Sequence, residues 1–99
     1  MIIIEKNEGK KIDYEVNGSK ITFGDDEITL NLEKYERDEA VQIDICIDDD
    51  LILIAGPSKY FVANVIIPAR QYDDESGKAI PFNMDNVTLV LWALIGAEV

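Results

Sequence analysis

Ninety-nine residues with a 47% hydrophobic fraction suit one soluble globular domain with a real but modest core, and they exclude wholesale disorder. Twenty Asp and Glu against nine Lys and Arg leave a formal net charge of -11, which opposes nucleic acid phosphates and anionic lipid headgroups. The chain has no His and one Cys, so the usual general base near neutral pH, the commonest zinc ligand and any internal disulfide are all missing.

At the N-terminus, Met1-Ile2-Ile3-Ile4 is followed by Glu5. The apolar run is too short for a signal peptide. The longest apolar stretch, Val87 to Ala97, falls well short of the ~20 residues that span a bilayer. A cytoplasmic chain, free or assembled in a particle, is the expectation.

Asn17-Gly18 tolerates positive φ and predicts a two-residue hairpin. That loop sets Val16 against Ser19, Glu15 against Lys20, Tyr14 against Ile21 and Ile12 against Phe23, with the apolar residues on one face. Gly24-Asp25-Asp26 breaks the chain again. Ile28 and Leu30, alternating with Thr29 and Asn31, then return to the Ile21/Phe23 face. From Glu33 to Ala40 the chain is dense in charge and reads as an exposed connection with one helical turn.

Val41, Ile43, Ile45 and Ile47 alternate with Gln42, Asp44, Cys46 and Asp48, the pattern of a half-buried strand. A two-residue loop at Asp49-Asp50 pairs Ile47 with Ile52 and Ile45 with Ile54. Gly56-Pro57-Ser58-Lys59 forms the next turn. Tyr60 to Ile67 is strongly β-forming, and Phe61, Ala63 and Val65 are expected to continue the Ile45/Ile54 face. Ala69 to Asp85 shows no periodicity, and loops of this length are either mobile or functional. The β-branched Val87, Thr88 and Val90 and the aromatic Trp92 favour a strand from Val87 to Ile95, with a helix capped by Asp85 or Asn86 as the alternative.

The predicted fold is therefore mostly β: antiparallel hairpins in a small β-sandwich or β-barrel, one domain over 1–99, with a long loop before a C-terminal strand.

No catalytic or cofactor motif emerges, and an enzyme is not expected. Cys46 lies between Asp44 and Asp48 on one strand face, where carboxylates raise rather than lower a thiol pKa; a small filler beside Leu53 is the plainer role. Asp48-Asp49-Asp50 and Asp73-Asp74-Glu75 offer oxygen ligands for calcium, but neither has EF-hand spacing, and both read as solvated turns. Gly56 to Lys59 lacks P-loop spacing. No cofactor or metal ligand is assigned.

Two segments, Tyr60 to Ile67 and Val87 to Ile95, are apolar on both faces and need cover on both sides. Either the long loop supplies it or another subunit does. In the second case Leu51, Leu53, Tyr60, Val62 and Trp92 form the candidate interface. Arg70, Gln71 and Tyr72, at a strand exit on the longest loop, are the candidate functional loop. The expected function is a non-catalytic binding or assembly module, a small structural or accessory part of a larger complex such as a virus-like particle or multi-protein machine. A protein partner or homo-oligomer follows, with no nucleic acid and no membrane. The competing expectation is an acidic protein that binds calcium or a basic protein partner, including by mimicry of nucleic acid charge.

Overall fold

The computed structural model describes residues 1–50 and 52–94. Its strands are β1 (Ile2–Glu5), β2 (Tyr14–Asn17), β3 (Lys20–Phe23), β4 (Ile28–Asn31), β5 (Val41–Ile47), β6 (Leu53–Ala55), β7 (Tyr60–Ile67) and β8 (Thr88–Leu91). They form a five-stranded sheet in the order β1-β8-β7-β5-β6 and a three-stranded sheet in the order β2-β3-β4. The fold is mostly β, as the periodicities predict, and the two sheets do not close into a barrel. The C-terminal segment is a strand and not a helix, though shorter than expected; Ile95 lies outside the described residues. All strand pairs are antiparallel except β1 with β8, which run parallel.

In the first hairpin Tyr14 lies opposite Phe23 and Val16 opposite Ile21, two residues away from the predicted pairing. Glu15 consequently meets Thr22 rather than Lys20. The cause is local. Gly18 has φ +63 while Ser19 does not enter the positive region, so the turn is centred on Gly18-Ser19, with its one positive φ at the first central residue. Ser19 is also held from the other side. Its carbonyl accepts from Leu32 N at 2.8 Å, and its hydroxyl donates to Asn31 at 2.9 Å. The shift moves the partners by two residues, so every side chain keeps its predicted face. The next hairpin pairs Phe23 with Ile28 and Ile21 with Leu30, on the predicted face, but across the four residues from Gly24 to Glu27.

The Asp49-Asp50 hairpin differs in a way that changes faces. Ile47 pairs with Leu53, Cys46 with Ile54 and Ile45 with Ala55. One extra residue in the loop reverses the alternation of β6, so Leu53, not Ile54, sits with Ile45 and Ile47. A β-bulge then interrupts β5–β7: Ile45 pairs with Ala63 but Cys46 with Phe61, leaving Val62 as the extra residue. Phe61 is thereby turned away from the Ala63/Val65 face it was expected to share, and Tyr60 is turned toward it.

Both sheets contribute to one core. Ile21, Phe23, Leu30 and Leu32 come from the three-stranded sheet and the turn after it. Ile45, Ile47, Val62, Ala63, Val65, Ile67, Val87, Leu89 and Leu91 come from the five-stranded sheet and its approach. Fully burying each of the larger side chains is worth roughly 1.5–3 kcal/mol. The charged connection opens with a 3-10 turn, Leu32–Tyr35. The long loop is less irregular than its sequence suggests. Tyr72 bridges Ala79, Ile80 N donates to Gln71 O, and a 3-10 turn at Met84–Asn86 leads into β8. Phe82 and Met84 pack against the core.

Candidate functional site

The inner face of the five-stranded sheet is occupied by the core, so the open question is its outer face. The register places Ile2, Thr88, Ile66 and Gln42 in one row across the strands, and Ile4, Val90, Asn64 and Asp44 in the next. Beyond them lie Trp92, Phe61, Cys46 and Ile54. The Phe61 and Trp92 rings are 5.7 Å apart at 31°. Phe61 is 45% exposed, while Asn64, between apolar neighbours, is only 7% exposed.

A buried amide must be hydrogen-bonded, and Asn64 is bonded on both sides. Trp92 Nε1 donates to Asn64 Oδ1 at 2.6 Å, and Asn64 Nδ2 donates to Asp44 Oδ1 at 2.8 Å. Gln42 Nε2 donates to the same carboxylate oxygen at 2.9 Å. This chain fixes the indole edge against the sheet and leaves its ring beside Phe61. Nothing in the sequence marked Asn64, because an Asn in a β-run reads only as a weak strand former; the bulge that aligns it with Trp92 has no local signature.

Of the residues expected at an interface, only Trp92 lies on this outer face. Val62 is fully buried in the core, and Leu53 and Tyr60 are partly buried against it. The extra loop residue and the bulge account for all three. Leu51 lies outside the described residues. Beyond its own turns, the long loop's hydrogen bonds run to the charged connection, with Arg70 N donating to Arg37 O at 2.7 Å.

Arg70 and Tyr72 meet that connection directly. The Arg70 guanidinium reaches Glu36 Oε1 and Asp38 Oδ1, each at 3.4 Å, and donates to Glu36 O at 3.0 Å. The Tyr72 hydroxyl donates to Asp38 Oδ1 at 2.6 Å. Tyr72 first, and Glu36 after it, hold the guanidinium pKa above its ordinary value. The exposed pair with Asp38 adds little stability. The cluster clamps the strand exit to the chain 34 residues earlier. Beside it, Gln71 helps to line a pocket of about 210 Å³ with Glu36, Ile80, Phe82, Asn83 and Asn86. One carboxylate and three amides can hydrogen-bond a small polar group there, and no nucleophile lines it.

The acidic turns spend their carboxylates on their own backbone. Asp73 Oδ1 accepts from Glu75 N at 2.7 Å and Ser76 N at 3.1 Å, which holds its pKa below the ordinary value. Asp48 Oδ1 accepts from Asp50 N and Ile52 N. Among the described residues no group of three or more Cys, Asp or Glu gathers as a metal site would require. Cys46 is fully buried, opposite Ile54 and Phe61 rather than beside Leu53. Burial pushes its thiol pKa up, a backbone hydrogen bond from Ser58 opposes this, and Asp44 adds to the rise. No helix among the described residues is long and apolar enough to cross a membrane. Comparison of the chain with family models, characterised proteins and solved structures finds no match.

Proposed function

We propose that this protein is a non-catalytic binding or assembly module, a small structural or accessory component of a larger complex, and that it docks through the outer face of the five-stranded sheet. The observation that carries this reading is the aromatic pair on that face: Phe61, 45% exposed, lies beside a Trp92 whose indole is fixed by Asn64, and Ile66, Ile54 and Ile4 lie on the same face of the sheet. Aromatic side chains with few rotamers, held in place before a partner arrives, are what binding hot spots are made of, because little entropy remains to be lost. A net charge of -11 favours a partner with a basic rim.

Affinity purification of the tagged chain from its native host, in parallel with Phe61→Asp, tests the reading. A partner should be recovered in fixed stoichiometry with the wild type and be lost with Phe61→Asp, whose far-UV spectrum should be unchanged because the side chain is exposed. Recovery of no stoichiometric partner, or of the same partner with the variant, overturns the proposal.

A further inference from the structure

Among the described residues β1 is the outermost strand of the five-stranded sheet and pairs with β8 alone. Its bonds to β8 use alternate residues: Ile2 N donates to Val87 O and Lys6 N to Leu91 O, each at 2.8 Å. In a parallel ladder the residues between them turn their backbone groups the other way. The N–H and C=O of Ile3 and Glu5 therefore line the open edge. Natural edges are normally blunted by Pro, a charge, a bulge or extreme shortness. β1 is short, four residues, and its one charge is Glu5 at its end; Ile2, Ile3 and Ile4 before it carry no Pro, no charge and no bulge, and they are 54%, 42% and 44% exposed.

We infer that this edge pairs antiparallel with the same edge of a second copy of the chain, Ile3 opposite Ile3, to make a continuous ten-stranded sheet. Three features select a second copy. Ile2-Ile3-Ile4 is a palindrome, so antiparallel self-pairing about Ile3 sets isoleucine against isoleucine at three successive positions and Glu5 opposite Met1. Apolar cross-strand pairs of this kind are each stabilising. The outward backbone groups of Ile3 make it the centre of a doubly hydrogen-bonded pair in that register; a pairing centred on Glu5 would set like charges opposite each other. The local charge permits it as well. A chain of net -11 repels its copy over most of its surface, yet residues 1–12 hold Glu5 and Glu8 against Lys6, Lys10 and Lys11. The two-fold axis of such a pair is perpendicular to the sheet, so Ile2 and Ile4 of both copies fall on the same outer face.

The pairing stands on the strand edge and is independent of the docking face proposed above. Light scattering after size exclusion at micromolar concentration should give twice the chain mass of 11.1 kDa for the wild type. Ile3→Pro removes an edge N–H that β8 does not use, so it should leave the β spectrum intact and return the mass to that of one chain. Ile3→Cys should oxidise to a covalent dimer, whereas Ile52→Cys, exposed at the β5–β6 turn, should not. A wild type of single-chain mass overturns the inference, as does a dimer that survives in folded Ile3→Pro. Absence of the Ile3→Cys cross-link overturns it even if the Pro variant fails to fold. Phe61→Asp leaves this dimer unchanged, which separates the two proposals.

Discussion

On the inner face of the five-stranded sheet, Ile45, Ala63, Val65 and Leu89 join one apolar cluster with Ile21, Phe23, Leu30 and Leu32, and Phe82 and Met84 of the long loop pack against it. On the outer face the same strands present Gln42, Asp44, Asn64 and Val90, and the polar members are satisfied by one another and by Trp92. The inner face excludes water by burial under a layer, whereas the outer face stays partly open, with Phe61 exposed and the buried Asn64 satisfied by its hydrogen-bonded neighbours. The difference teaches where each face is fragile. An inner position depends on volume, and an outer one on partners.

The largest effect is expected on the inner face. Leu89→Ala removes a fully buried side chain and should cost about 2–5 kcal/mol, read from urea melts. On the outer face Asn64→Ala deletes little volume but leaves the Trp92 indole and Asp44 without their shared partner. A loss of about 1–3 kcal/mol is expected, together with a red shift in the fluorescence of Trp92, the only Trp in the chain. If the two substitutions cost the same, or if the emission does not move, the contrast between the faces fails. The smallest effect concerns Cys46, an outer-face thiol as dry as any inner residue. Its folded pKa is raised, chiefly by burial. The neutral thiol therefore contributes stability that is complete below the unfolded pKa of ~8.5 and is lost as pH rises through the folded value. The melting temperature should fall slightly between neutral and alkaline pH, and Cys46→Ala should flatten that dependence.

Side-chain alternation was legible from sequence wherever an even number of residues separated expectation from fact. The Gly18-Ser19 turn displaced the first hairpin's pairing and left Ile21 and Phe23 facing the core. A single added residue at the Asp48–Asp50 turn was enough to reverse Leu53 and Ile54, because three acids in a row do not specify which of them bends the chain. The bulge at Val62 carries neither Gly nor Pro, so Phe61 and Val62 could not be assigned to faces in advance. β1 is the least legible strand: its residues read only as an apolar run too short for a leader, since pairing with the last described strand is a property of the whole chain and not of any window of it. Arg70 and Tyr72 are conspicuous in the sequence as a strand exit, but their partners Glu36 and Asp38 are not, since charge density in a connection gives no address.

The parallel union of β1 with β8 also orders events in time. Ile2 and Thr88 are 86 residues apart in sequence, as are Asn7 and Ala93, which are bonded just beyond them. At ~5–20 residues per second of synthesis, β1 leaves the ribosome on the order of ten seconds before its neighbour, while hairpins such as β2–β3 close in roughly 1–10 μs. For that interval Ile2, Ile3 and Ile4 are an apolar strand with neither edge occupied. Of the described strands the earliest made is thus among the last to be enclosed, and chains ending short of residue 88 leave its three isoleucines without the neighbour they have in the fold.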